Sequence, residues 1–208
     1  WPSLQAFFKS QQFQLIVGIL LIFTSLMLLI AYISFLFNGA NDMSIIEQGT
    51  TRKAMREGVT NALGLPGAVI ASWLVDSMFG ILVVLPIILL GVYALKILFN
   101  FEWKGWKIFF CSLFCMLWGA IALGFIQQLI PTSSFFRWGG AFGEHIAILA
   151  ISYIQALGLG LTLLVTLIIF AIVADKHFVD HCQQFGSWVA NLFKRKPQAE
   201  SEEVLDDA

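Results

Sequence analysis

LGLPGAVIASWLVDSMFGILVVLPIILLGVYALKILF, Leu63 to Phe99, is one apolar stretch whose only formally charged side chains are Asp76 and Lys96. A bilayer core takes about 20 apolar helical residues. The stretch is too long for a simple crossing and has room for a full span plus a further helix lying at, or dipping into, the membrane surface. Gly80 divides it: residues 66–79 read as the short helix and residues 81–99 as the crossing. Pro86 falls inside the crossing, where neighbouring helices can satisfy the carbonyl it frees. A second stretch, RWGGAFGEHIAILAISYIQALGLGLTLLVTLIIFAIVAD (Arg137 to Asp175), repeats the design. It divides at Gly158 to Gly160 into a short helix at 142–157 and a crossing at 159–174.

Two further crossings complete the set. Residues 13–37 carry no charge, and residues 108–130 form the third apolar run. The expected fold is an all-α integral membrane protein with four transmembrane helices. Two accessory helices, interfacial or re-entrant, both lie on the outer side. Crossing, loop, glycine turn, short helix and crossing recur as a loose tandem repeat, with Gly67-Ala68 matching Gly140-Ala141. Its two units run in the same direction, unlike the inverted pairs of many transporters.

The composition agrees with a membrane protein. The 208 residues are 59% hydrophobic and 12% charged, with a mean hydropathy of +0.84; soluble domains carry about 25% charged residues. No basic patch of the size nucleic-acid binding requires is present. Residues 1–12 read as an interfacial lead-in to the first span. Asn38 to Ala62 reads as an outside loop with a short helix near TTRKAMREGV. Trp103 and Trp106 in the turn at 100–107 suit the headgroup level. Residues 176–196 read as a cytoplasmic amphipathic helix with a basic end, its apolar stripe formed by Phe178, Cys182, Phe185, Val189 and Leu192. Residues 197–208 read as an acidic linker. A chain that opens on Trp1 and closes on such a linker is expected to be the membrane part of something longer. Lys9, Lys96, Lys104, Lys107, Lys176, Lys194, Arg195 and Lys196 outnumber Arg52, Lys53, Arg56 and Arg137. That bias places both termini in the cytoplasm.

Catalytic signatures are missing from the sequence. It has no phosphate loop, HExxH, CxxC or GxSxG. His177 and His181 are four apart, as metal ligands can be, but no third ligand is evident, and no metal or cofactor is assigned. Cys111 and Cys115 read as small core residues. Intramembrane charge is costly and marks function or polar pairing, which singles out Asp76, Glu144 and His145. Gly67, Gly80, Gly140 and Gly158 are the candidate structural or contact glycines. Ala120 with Gly124, and Gly143 with Ala147, have the small-xxx-small spacing that lets helices approach closely.

Gly64, Gly67, Ala68, Trp73, Leu74, Asp76, Phe79, Gly80, Pro86 and Gly91 together resemble the second-span region of the FtsK/SpoIIIE DNA translocase family. Gly139, Gly140, Gly143 and Gly158 resemble that family's second glycine-turn helix and last span. The resemblance implies a bacterial inner-membrane protein at the division septum. Its part would be that of an anchor in cell division and chromosome segregation, tethering a hexameric motor and contacting other division membrane proteins. The family's motor uses ATP and Mg and touches DNA; its motifs are not in these residues, so this chain is not expected to be an enzyme. A competing reading is a small transporter or channel subunit with Asp76, Glu144 and His145 along its route. A third, a membrane enzyme using Glu144 and His145, faces the difficulty that adjacent helical residues point about 100° apart.

Overall fold

The computed structural model describes residues 10–49, 52–99, 101, 105–130 and 133–174. Helix α1 spans Gln11–Glu47 and α2 spans Arg52–Gly58. Helix α3, Gly64–Ser72, passes into a π-helical segment, Trp73–Phe79, and then a 3₁₀ turn, Gly80–Val83. Helices α4 (Val84–Phe99), α5 (Gly105–Leu129) and α6 (Gly140–Ala174) follow. Among the described residues, four helical stretches are long and apolar enough to cross a membrane: Gln11–Glu47, Gly64–Phe99, Gly105–Leu129 and Gly140–Ala174. The interfacial lead-in before residue 10, Trp103, Cys182, the His177–His181 pair, the amphipathic helix at 176–196 and the acidic linker lie outside the described residues.

Two boundaries differ from the sequence reading. The first concerns Asn38, where a loop is expected and α1 instead continues to Glu47. At 1.5 Å per residue its 37 residues make a rod of about 55 Å, well beyond the roughly 30 Å of hydrocarbon. The polar extension is held by tertiary bonds that local sequence does not display. Asn41 Nδ2 donates to the Gly58 carbonyl at 3.2 Å, and Asp42 accepts from Thr60. At the other end Ser10 caps the helix, its hydroxyl accepting from the Phe13 amide at 3.3 Å.

The second concerns the division of the last stretch. It falls at Gln155 (φ 62, ψ 168), while Gly158 to Gly160 stay helical. Gly158 still has a part in it. A Cβ there would lie 3.0 Å from the Ile154 Cβ, whereas side chains four apart on a regular helix sit about 5–6 Å from one another. The turn is distorted around Gln155, and the glycine makes room for Ile154. By contrast, the backbone does leave the helix at Gly80 (φ 69, ψ −149).

Packing follows membrane logic, with small residues inside and large ones facing outward. Ala68, Ala94, Ala120 and Ala147 are fully buried, while Phe37 and Leu157 are more than four-fifths exposed. One core joins Ala31, Tyr32 and Phe35 of α1 to Ala71, Val75, Val83 and Ile87. Polar side chains pin α1 to the chain beside it. Ser25 Oγ donates to the Ile87 carbonyl and Tyr32 Oη to the Ile81 carbonyl, both at 2.8 Å. Helices α5 and α6 meet through their small residues. A Cβ on Gly143 would strike the Ala120 carbonyl, and one on Gly124 would strike the backbone of Gly143 and Glu144. The two small-xxx-small motifs are therefore two sides of one contact. The cysteines depart from the core reading, Cys115 being exposed and Cys111 half-buried. Lipid tolerates a thiol as readily as the interior does, so burial is not required there.

Contacts divide the chain into Trp1–Leu163 and Leu164–Ala208. The described residues of the second unit, 164–174, are helical.

Candidate functional site

The π segment arises where the ladder between Trp73 and Phe79 widens, a departure often found at functional sites. Asp76 lies within it and is nearly buried. Both carboxylate oxygens are engaged by a single residue 61 positions away. Asp76 Oδ1 accepts from the Arg137 amide at 3.0 Å, and Oδ2 from Arg137 Nη2 at 3.1 Å. The same guanidinium places its Nε 3.5 Å from Glu144 Oε2. Arg137 is thus the hub that brings two of the predicted residues together. The third, His145, stands apart: it is exposed, and its Nδ1 lies 2.6 Å from the Ala141 carbonyl of its own helix. A carbonyl only accepts, so that nitrogen carries the proton.

The segment bearing Arg137 is held from several sides. Gln127 of α5 accepts from the Trp138 amide at 2.8 Å through Oε1 and donates to the Phe136 carbonyl at 3.4 Å through Nε2. The Ile81 amide donates to the Trp138 carbonyl at 3.1 Å. Phe35 meets Phe135 and Phe136 with ring centroids 5.8 and 6.1 Å apart. Gly80 and Gly140, both at positive φ, lie where two backbone segments meet closely. A Cβ on Gly80 would collide with the Trp138 carbonyl, and one on Gly140 with the Met78 carbonyl. Two predicted glycines thus turn out to be one joint seen from its two strands.

A second polar clip lies at the far end of α1. Asp42 is completely buried, and its Oδ1 accepts from Thr60 N at 2.7 Å and Thr60 Oγ1 at 2.9 Å. Its Oδ2 is buried without a hydrogen-bond partner among the described residues. Asn61 Nδ2 donates to the Ala31 carbonyl at 3.2 Å, and the Ala62 amide donates to Ser34 Oγ at 2.9 Å. Gly67 lies below this clip, where a Cβ would press on Asn61 Oδ1 and Leu63. Asp42→Ala removes both acceptor bonds to Thr60 at a cost of roughly 1–3 kcal/mol. The expected result is faster proteolytic nicking between residues 48 and 60, with the helical bundle retained; an unchanged nicking rate refutes the clip.

Chemically the site is a clamp. Two carboxylates share one guanidinium, and each amide recruited is matched by a side-chain oxygen. No group of three or more potential metal ligands occurs among the described residues. Sequence reasoning singled out Asp76 and Glu144 and used Arg137 only for orientation. The one local hint of the hub's position is that Arg137 stands directly before Trp138 and the Gly139-Gly140 pair. Asp42, Asn61 and Gln127 gave no hint as clip residues.

A family model described as the 4TM region of DNA translocase FtsK/SpoIIIE matches residues 10–190. Comparison with curated proteins gives no match, and comparison with solved structures gives none.

Proposed function

Because this chain belongs to the family of the 4TM region of FtsK/SpoIIIE DNA translocases, we propose that it serves as the membrane anchor and septal scaffold of a bacterial DNA translocase in cell division and chromosome segregation. The observation that carries this reading is the Arg137 hub. A transporter needs ionisable groups that can exchange partners along a route, whereas Asp76 and Glu144 are tied to one fixed cation. A Glu144–His145 acid/base pair is likewise disfavoured, since the two side chains go to different partners.

In this reading the lysine and arginine bias puts both termini in the cytoplasm. The region from Asn38 to Ala62, the helical stretch Gly64–Phe79 and the first part of α6 then lie on the outer side. The last two are the accessory helices of the loose tandem repeat. A motor connected to the cytoplasmic end would act on DNA with ATP and Mg. The family's hexameric motor implies that the anchors gather as a homo-oligomer. Other division proteins would be met on the outer surface, where Lys53, Arg56 and Glu57 of α2 are exposed.

The test is charge reversal in the full-length protein in cells. Lys53→Glu with Arg56→Glu leaves membrane levels unchanged and reduces septal enrichment severalfold, as imaged with a fluorescent fusion. Undiminished septal enrichment of that variant removes the outer contact surface from the proposal.

A further inference from the structure

Tertiary pins fix the height at which each segment meets α1. Gly18 lies against Ala94 and Leu98, and Ser25 against Ile87 and Gly91. Tyr32 bonds to the Ile81 carbonyl, so α4 runs antiparallel to α1 in steady register up to that point. Asn61 Nδ2 donates to the Ala31 carbonyl, and the Ala62 amide donates to Ser34 Oγ. The chain therefore leaves α1 and comes back to it at one level, residues 31–34. Between these two attachments lie the nine residues of α3 and the seven of the π segment, a helical path of roughly 20 Å. A path of that length with almost no net rise crosses α1 near a right angle. Its height is set as well. From Gln11 to Ala31 the α1 rod climbs about 30 Å, one hydrocarbon thickness.

We propose that the Gly64–Phe79 segment is a lipid-binding helix that lies flat in one leaflet, at the boundary between headgroups and hydrocarbon, and does not dip toward the bilayer centre. Its bundle-facing arc is Gly67, Ala68, Ala71 and Val75, all buried. The opposite arc is Pro66, Val69, Ile70 and Trp73, all exposed, Trp73 by 56%. Positions three, four and seven apart share one helix face, so these four form a continuous apolar surface. That surface carries no charge. Asp76, the segment's only formally charged side chain, is buried and held by Arg137. An apolar surface of this kind is not left to water, and at this height acyl chains cover it. Tryptophan is enriched at membrane interfaces, and a helix with one apolar face lies in the interface plane. A second copy of the chain is a poorer occupant, because the exposed arc holds no glycine or alanine to let another helix approach closely. A re-entrant path does not fit the geometry, since a descent and a return would need two helical legs where the attachments leave room for one. The inference rests on the membrane-spanning fold alone and is independent of the division role proposed above.

The experiment measures depth in lipid nanodiscs, with the chain freed of its own thiols by Cys111→Ala, Cys115→Ala and Cys182→Ala. Ile70→Cys carries an NBD fluorophore, and Arg56→Cys on α2 carries the same fluorophore as the control. Phosphatidylcholine bearing a nitroxide at the top of the acyl chain is expected to quench the label at residue 70 severalfold more than one bearing it near the chain end. Iodide in the buffer leaves that label bright and quenches the label at residue 56. Stronger quenching at residue 70 by the chain-end nitroxide overturns the proposal in favour of a re-entrant segment. Quenching by iodide alone overturns it in favour of a water-facing surface. Quenching by none of the three overturns it too, because protein, a second copy included, then covers the arc. Should the thiol-free chain lose its helicity by circular dichroism, photolabelling of the unaltered chain decides the matter. A phospholipid with a carbene precursor beside the glycerol is expected to label residues 69–73, mapped by mass spectrometry of the digest; absence of label there overturns the proposal.

Discussion

Gly80→Ala lowers the apparent melting temperature of the detergent-solubilised protein by roughly 10 °C, the largest effect expected of any single methyl group in this fold. Two costs add. The backbone at φ 69, ψ −149 is a conformation that essentially only glycine adopts, and a side chain there costs about 1–3 kcal/mol. The added carbon also runs into the Trp138 carbonyl, which is backbone fixed by the Ile81 amide and cannot rotate away. Overpacking of this kind costs a further 1–3 kcal/mol or so. Each kcal/mol lowers melting by about 2–4 °C in a chain of this size. Gly160→Ala is the control of opposite sign. Its Cβ would meet only the Phe125 ring, at 3.7 Å, and replacing a helical glycine by alanine stabilises by up to about 1 kcal/mol. Thermal melts of the two variants side by side check both directions. A Gly80→Ala protein melting within about 2 °C of the parent shows that the joint is not tight.

Asp76→Ala is the second large effect, a loss of roughly 2–3 kcal/mol. The substitution strips Arg137 of its nearest anion and leaves the Arg137 amide without its acceptor. The figure is held below that of a fully buried pair because the Arg137 side chain is 38% exposed and water screens the charge. Asp76→Asn keeps an acceptor for the amide and loses only the ion pair, so it falls about midway. Arg137→Lys is expected to resemble Asp76→Asn, since one ammonium cannot reproduce a guanidinium that binds two carboxylates from different edges. Melting temperatures ordered parent, Asn, Ala confirm the double role of the carboxylate; equal melting of Asp76→Ala and the parent dismisses it.

These two expectations show which parts of the fold could be read in advance. The long apolar runs and the Gly80 break were legible because membrane thickness sets a length, and a glycine in an overlong segment stands out locally. The short helix at Arg52–Gly58 was legible as well. The polar continuation of α1 was not, because Asn38 to Glu47 carries loop-forming residues whose helical state depends on Thr60 and Gly58. Nor was the kink at Gln155, an ordinary residue where the nearby glycines drew the eye. The hub was half legible. Intramembrane charge flagged Asp76 and Glu144, but nothing in local spacing announces a pairing across 61 positions. The small-residue motifs of α5 and α6 were visible separately, and only three dimensions show that each is the other's counterpart.

Helix α1 engages the molecule at intervals close to seven residues: Ser25 and Tyr32 bond outward to carbonyls, Gly39 is buried, and Phe35 is followed one heptad later by Asp42. It behaves as a keyed shaft. Seven residues are nearly two full turns, whereas one residue advances the angle by about 100°, so a single-residue slip withdraws every tooth from its slot together. Screw and piston motions of this shaft are therefore blocked, and tilting carries the neighbouring helices with it. A pull on one end reaches the Asp42 clip without slack, which is the mechanical property a mooring requires.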